Sequence, residues 1–183
     1  MKIILISGKA GSGKDEAAKI AKRVLEKEYG KRALITHFGG PVKFVAKEFF
    51  DWDEEKDEEG RNLLQWIGEK GREYYPTLWV DIIAELLNAF YEEWDYVILA
   101  DTRYVSEIHG MQPNGTDRWT SPVTNARMEC QTPRREMTEE QKNHISETNL
   151  DTYDFDWYIN NDDTIETLEE NVRIFLRNIV KEE

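Results

Sequence analysis

The chain has 183 residues, enough for one domain with a full hydrophobic core and too few for two large ones. Its 24 Lys and Arg against 37 Asp and Glu leave a formal net charge of −13, which argues against nonspecific binding to nucleic acid or to an anionic membrane, while a local basic pocket can still hold small phosphates. Cys130 is the single cysteine, so an intramolecular disulfide and a cysteine-rich zinc site are excluded and a reducing compartment is the default.

The chain opens on an apolar run, Ile3 to Ile6, with no charged-then-apolar leader, and no apolar stretch approaches the roughly 20 residues of a membrane span. A soluble, cytoplasmic protein is therefore expected. The run is followed by Gly8-Lys9-Ala10-Gly11-Ser12-Gly13-Lys14-Asp15, and a helical pattern starts at Asp15. A strand, a glycine-rich turn and a helix in that order form a phosphate cradle, because the turn aims successive backbone N–H groups at one point. The spacing G-x-x-x-x-G-K is the P-loop pattern, in which Lys14 reaches the terminal phosphates of a nucleoside triphosphate. Asp15 stands where Ser or Thr usually serves magnesium. Either it meets the metal itself, as carboxylate oxygens do, or it and Glu16 are first-turn acids favoured by the helix dipole.

Ala17, Ile20, Ala21, Val24 and Leu25 then form a core-facing stripe, Gly30 ends the helix, and Ala33 to Phe38 reads as a second strand. A strand, helix, strand succession implies parallel pairing with a right-handed crossover. Gly39-Gly40-Pro41 leads into the next helix with Pro41 in its first turn, which makes Lys43 either a second phosphate ligand or a solvated lysine. The acidic run Asp51 to Glu59, with Trp52 inside it, reads as a solvated loop or helix end.

On the helix from Arg61 to Arg72, the residues Arg61, Gln65, Gly68 and Arg72 are spaced four, three and four and share one face, opposite Leu63, Leu64 and Ile67. Two arginines, an amide and a glycine can hold a phosphate and a base edge, and a solvated polar face explains the spacing equally well. Thr77 starts an amphipathic helix to Trp94 whose stripe is Trp79, Ile82, Ile83, Leu86, Leu87 and Phe90. Trp66, Tyr74 and Trp79 either stack on a base or pack in the core.

Tyr96 to Ala100 is short and apolar enough for a buried parallel strand, and it delivers Asp101 and Arg103 to its carboxyl end. An acid there resembles the Walker B position beside magnesium, and Arg103 is placed for a phosphate. A short helix over Val105 to Met111, a turn-rich loop over Gln112 to Pro122, and a strand over Val123 to Cys130 follow, with Cys130 as a small core residue. Arg134 and Arg135 leave that strand, either to close over a triphosphate or as an exposed basic turn, and Thr138 with Gln141 has a capping-box pattern. His144 lacks companions at metal-ligand spacing and is read as local hydrogen bonding. Asp156 to Asn160 is a fifth strand. Asp163 and Glu166 cap a last helix with the stripe Ile165, Leu168, Val172, Phe175, Leu176 and Ile179.

Several of these pieces fall in the order of one family: Gly8 to Asp15, Phe38-Gly39-Gly40-Pro41-Val42-Lys43, Leu64 to Gly68 with Arg72, and Asp101-Thr102-Arg103 with Glu107. His144-Ile145-Ser146-Glu147-Thr148-Asn149-Leu150-Asp151, followed by Asn160-Asn161, continues the series. Over nearly its whole length the chain resembles the phage and bacterial deoxynucleoside monophosphate kinases, a branch of the P-loop kinases with an adenylate-kinase-like core. Glu16 departs from the family's Thr after the Lys-Asp pair, the loop from Gln112 to Pro122 is longer, and Asn161-Asp162-Asp163 replaces the usual Asn-Gly turn.

The resemblance implies an α/β, three-layer α/β/α P-loop kinase domain with a mostly parallel five-stranded sheet, a helical substrate-binding insert at about 41–94 and a lid at about 131–145. It implies transfer of the ATP γ-phosphoryl group to a deoxynucleoside 5′-monophosphate with magnesium, in the host cytoplasm if the chain is of phage origin. In that scheme Gly8, Lys9, Ala10, Gly11, Ser12, Gly13, Lys14, Asp15 and Glu16 bind ATP, and Asp15 or Asp101 serves Mg2+. Lys43, Arg61, Gln65, Trp66, Arg72, Trp79 and Arg103 bind the acceptor, and Lys14, Arg103, Arg134 and Arg135 are the catalytic cations. Two rivals stay open: a P-loop kinase of another small phosphorylated metabolite, and a nucleotide-dependent switch or binding module. The base preference is not legible, and the apolar helix from Thr77 fits a homodimer interface as well as a monomer core.

Overall fold

The computed structural model describes residues 1–55, 57–112, 121–131 and 139–180. Five strands, β1 (Lys2–Ser7), β2 (Ala33–Thr36), β3 (Tyr96–Thr102), β4 (Val123–Glu129) and β5 (Trp157–Asn160), form one sheet in the order β2-β3-β1-β4-β5. All neighbours are parallel. β1 and β3 are apolar on both faces because both faces are covered, as the sequence predicts for a parallel sheet.

Alternation along β1 divides the core. Ile4 and Ile6 face α1 (Lys14–Glu28) and α8 (Ile165–Val180), whose stripes bring in Ala17, Ile20, Ala21, Val24, Leu168, Val172, Phe175 and Leu176. Ile3 and Leu5 face α4 (Leu78–Ala89) and α5 (Val105–Met111) through Val80, Ile83, Leu87, Ile108 and Met111. A third cluster, Val42, Ala46, Trp52, Ile67 and Trp79, joins α2 (Gly39–Phe50), α3 (Glu58–Tyr74) and α4.

The register positions the site. Ser7 lies beside Thr102 on one side and Arg127 on the other, so the turn after β1, the end of β3 and Arg127 meet at the sheet's carboxyl edge.

Several boundaries differ from the sequence reading. β2 stops at Thr36 and α2 already begins at Gly39, because the amides of Phe38 and Gly39 turn to the carboxylate of Asp101. Trp52 is not a solvated residue of an acidic loop: it is buried in the third cluster, with its indole N–H on the Glu55 carbonyl at 2.8 Å. The helix expected to run from Thr77 to Trp94 ends at Ala89, and Leu86 and Phe90 of its stripe are exposed. Cys130 is half-buried just past β4. The start of α8 is held by Thr164, whose Oγ1 accepts from the Thr167 amide at 3.3 Å, in place of a cap by Asp163. α6 (Glu139–Asn143) and α7 (Ile145–Thr148) are short, and Thr138 of the expected capping box lies outside the described residues. No helix among the described residues is long and apolar enough to cross a membrane.

Candidate active site

The turn between β1 and α1 carries three glycines at positive φ: Gly8 at 145°, Gly11 at 78° and Gly13 at 90°. A Cβ on Gly8 would stand 2.6 Å from Ser12 Oγ and 2.9 Å from Met128 Cβ, and one on Gly13 would collide with the Asn161 amide. Those two positions are therefore closed to side chains by both conformation and space. The Asn161 amide donates to the Ser12 carbonyl at 2.9 Å, which ties the turn to the end of β5. Ser12 Oγ is buried without a partner among the described residues, a polar atom left inside the cradle.

Lys14 opens α1 and is buried, its ammonium donating to the carbonyls of Gly8 at 2.6 Å and Lys9 at 2.8 Å. Burial lowers its pKa to about 8, helped by the positive charge of Arg103, while Glu147, Asp15 and Asp101 oppose the shift. The P-loop lysine, Arg103 and three carboxylates thus share one electrostatic neighbourhood.

Arg103 follows β3 and pairs with the Glu147 carboxylate through Nη1, which also donates to the Ser146 carbonyl at 3.3 Å. Its backbone amide donates to Glu107 Oε2 at 2.7 Å, and the Tyr104 amide donates to the same oxygen at 3.1 Å. Glu107 is buried at the start of α5, and burial pushes its carboxyl up to about 8 against the pull of those two amides. The proton it holds at neutral pH lets it sit in the core without a full charge.

The other end of the Glu147 carboxylate accepts from the Ala10 amide at 2.9 Å. Lys9 reaches across to the Glu147 carbonyl at 2.5 Å and to both carboxylate oxygens of Asp151 at 2.5 and 2.7 Å. Arg127 holds the same segment through the Leu150 carbonyl at 2.7 Å and Asp151 at 3.1 Å. His144 caps α7 on Ser146 and meets Glu69 of α3 at 3.1 Å, in keeping with its reading as a local hydrogen-bonding residue.

Arg72, one of the acceptor-side residues of the sequence reading, is joined directly to the β3 edge. Its guanidinium lies 4.2 Å from the centre of the Tyr104 ring and donates to the Tyr104 hydroxyl at 3.1 Å, while Gly68 keeps the helix open beside it. Gln65 and Trp66 are exposed on α3, Arg61 is half-buried near its start, and Trp66 stands edge-on to Phe50. Trp79 is a core residue: its ring fills the space beside Gly71, and its N–H donates to the Gly68 carbonyl at 2.9 Å. A buried, hydrogen-bonded indole has no face left for a base. Lys43 lines an open pocket of about 330 Å³ with Phe44, Lys47, Trp52 and Glu54, which includes no P-loop residue. Arg134 and Arg135 lie outside the described residues.

For a hard cation the donor set is Asp15 and Asp101. Asp101 accepts from the Phe38 amide at 2.8 Å on one oxygen and from the Gly39 amide at 2.9 Å on the other, each oxygen having a second lone pair, and the Asp15 side chain is 78% exposed near His37. Among the described residues no group of three or more His, Cys, Asp or Glu is placed to hold a metal by itself. Two carboxylates beside a phosphate cradle fit Mg2+, which keeps waters and takes its remaining ligands from substrate phosphates. Glu16 pairs with Lys19, one turn along α1, at 3.5 Å.

Glu147, Asp151, Arg127, Asn161 and Glu107 were given no roles from sequence. A carboxylate that caps a turn 137 residues away leaves no mark in spacing, and the only available signal was the order of the His-x-Ser-Glu segment.

No protein-family model and no curated protein sequence matches the chain. Solved structures do match in fold. An APS kinase of Mycobacterium tuberculosis superposes with a TM-score of 0.54 at 13% identity, covering 96% of each chain. The same enzyme in complex with AMPPNP and APS gives 0.51 at 13% identity, over 96% of this chain and 97% of that one. Shikimate kinase from Aquifex aeolicus gives 0.52 at 15% identity over 97% and 98%. The all-parallel sheet flanked by helices, with a glycine-rich turn after its central strand, is the fold of the P-loop kinases.

Proposed function

We propose that the protein is an ATP-dependent kinase that transfers the γ-phosphoryl group to a deoxynucleoside 5′-monophosphate, giving the diphosphate and ADP. The observation that carries this reading is the convergence of Lys14, Arg103 and Asp101 at one sheet edge, with Arg72 of α3 reaching the next residue, Tyr104. A nucleotide switch needs the first part of that arrangement and has no use for the second. The solved kinases of the same fold support an ATP-using phosphotransferase, and the family-ordered segments support the deoxynucleotide acceptor.

Phosphoryl transfer asks for positioning and charge neutralisation more than for covalent chemistry by the protein. The amides of Ala10 to Lys14 receive the donor phosphates, and Lys14 leaves the Gly8 and Lys9 carbonyls to follow the charge of the transferred group. Asp15 or Asp101 would hold Mg2+, which would supply neutralisation of charge on the phosphates when bound. Arg103 lies between the cradle and α5 and stabilises the group in flight, while Arg72, braced on Tyr104, receives the acceptor phosphate. Arg61, Gln65 and the exposed ring of Trp66 complete the acceptor side, Lys43 adds positive charge to that flank, and the role expected of Arg134 and Arg135 is to neutralise charge on the transferred group.

The second reading, a kinase of another small metabolite, is favoured by the range of the structural neighbours, which include an APS kinase, a shikimate kinase and a sugar kinase. A coupled assay for ADP release with ATP, magnesium and each deoxynucleoside monophosphate in turn decides between them. Stimulation by one or a few monophosphates, lost in Lys14→Ala, establishes the kinase and its acceptor. Release no faster than the acceptor-free background with every one of them rejects the deoxynucleotide assignment.

A further inference from the structure

Glu147 has no role in the reaction scheme above, yet its carboxylate holds two of the site's phosphate-seeking groups. One oxygen accepts from the Ala10 amide of the P-loop at 2.9 Å, and the other pairs with the Arg103 guanidinium. A backbone amide of a glycine-rich turn and an arginine fork are the two partners a phosphoryl group takes in such a cradle. The carboxylate is well enclosed, with the side chain 7% exposed. The cavity lined by Gly8, Lys9, Arg103, Arg127, Ser146 and Glu147 measures about 10 Å³, at the limit of about 10–15 Å³ for a single water and far below the space a phosphoryl group needs.

We propose that Glu147 is a built-in surrogate for a phosphoryl oxygen, and that a triphosphate takes its place in the P-loop by expelling it. The inference rests on the kinase reading and adds a self-inhibitory clasp to the same site. The exchange conserves hydrogen bonds: the Ala10 amide and Arg103 trade a carboxylate for a phosphate, which carries more charge and matches the guanidinium fork better. The part that must move is α7 itself, which spans only Ile145–Thr148, too short to be stable alone. Two of its fastenings, those of Lys9 to the Glu147 carbonyl and to Asp151, are ones a polyphosphate competes for, while buried Leu150, the Asn149 link to the Val105 amide and Arg127 anchor the chain just after it. Displacement frees Lys9 and Arg103 together, so the donor cations become available only when a nucleotide has arrived.

The alternative is that Glu147 is a permanent buttress of the turn, and the two differ in sign. A competing occupant weakens the measured affinity by the fraction of molecules it blocks, so its removal tightens binding, whereas removal of a buttress loosens it. The test titrates wild type, Glu147→Ala and Glu147→Gln with ATP and with inorganic tripolyphosphate by calorimetry, and follows amide hydrogen exchange over residues 144–151 of the wild type. Glu147→Gln keeps the acceptor to Ala10 and the volume while removing the charge that holds Arg103, which guards against a variant that does not fold. The expected result is affinity about tenfold tighter for both ligands in Glu147→Ala, a smaller gain in Glu147→Gln, and faster exchange over 144–151 when the wild type binds ATP. Equal or weaker binding by both variants, or slower exchange over that segment on binding, overturns the clasp and leaves the kinase reading standing. If the wild type and both variants bind neither ligand, the kinase reading itself fails and the clasp falls with it.

Discussion

The two flanks of the β3 edge are built differently. On the P-loop side the cations Lys9, Lys14 and Arg103 are each engaged by acceptors of the protein itself: two loop carbonyls for Lys14, Asp151 for Lys9 and Glu147 for Arg103. On the α3 side Arg72 lies over an aromatic ring, Gln65 and Trp66 are exposed, and the supporting cluster of Val42, Ala46, Trp52, Ile67 and Trp79 is separate from the two that cover the sheet. The first flank is a turn built on three glycines at positive φ, two of them with no room for a side chain. The second is a set of helices packed around their own small core. Reaction class should therefore depend on the first and acceptor choice on the second, and substitutions on the two flanks should separate kcat from KM.

The largest effect is expected at Lys14. On the proposed kinase reading, Lys14→Ala removes the ammonium assigned to the transferred phosphate and should lower kcat by about a thousandfold, read in the coupled assay. The fold should survive, and its pH dependence gives an independent check. The folded-state pKa of Lys14, about 8, lies below its ordinary 10.5, so the buried charge costs stability in full below pH 8. That cost fades as pH rises from 8 to 10.5, where the folded protein has released a proton that the unfolded chain retains. Melting temperatures of wild type and Lys14→Met should accordingly differ most at neutral pH, with the variant higher, and converge toward pH 10. A variant melting lower than wild type at pH 7 would show that the loop carbonyls over-compensate burial.

Gly13→Ala comes next, because it attacks the turn of the first flank directly. The new methyl group meets the Asn161 amide at a backbone angle, φ 90°, that disfavours any side chain. A loss of about 2–4 kcal/mol in denaturant unfolding is expected, together with weaker ATP binding. Unchanged stability would mean that the turn is adaptable, and the contrast between the flanks would dissolve.

The same contrast explains what could be read from sequence. The central strands, the α1 stripe, the α8 stripe from Leu168 to Ile179 and the phosphate cradle are local patterns that appear where periodicity and glycine spacing place them, whereas Ile165 at the head of the α8 stripe is exposed and β2 stops at Thr36. Trp79 was ambiguous because an aromatic at helical spacing looks the same whether it faces a ligand or the space beside a glycine such as Gly71. Trp52 was misread because the acidic residues around it dominate the composition, while its burial depends on Gly60 approaching from the next helix. Glu147 and Asp151 were invisible as partners of the P-loop because ion pairs between distant segments follow from the fold and from no spacing.

A smaller effect belongs to Glu107, the joint between the flanks, whose Oε2 receives the amides of both Arg103 and Tyr104. Its folded pKa, about 8, lies above the ordinary 4.5, so stability is fully present below about pH 4.5 and declines as pH rises toward 8. Glu107→Gln keeps an oxygen for the two amides and has no proton to lose. Thermal melts between pH 5 and 8 should fall with pH in wild type and stay level in the variant. Parallel slopes in the two proteins would place the titration on another group.

The smallest effect is the most specific test of the α3 flank. Tyr104→Phe retains the ring 4.2 Å from the Arg72 guanidinium and deletes the hydroxyl that accepts its hydrogen bond at 3.1 Å. The loss is one half-exposed, charge-assisted contact, about 1 kcal/mol, so KM for the acceptor should rise about fivefold. Neither kcat nor KM for ATP should change, since Tyr104 touches no P-loop group through its side chain. Because Arg72 and the Arg103 backbone are joined through Tyr104 and Glu107, a fall in kcat at constant acceptor KM would show instead that the ring positions Arg103, and that the two flanks act as one unit.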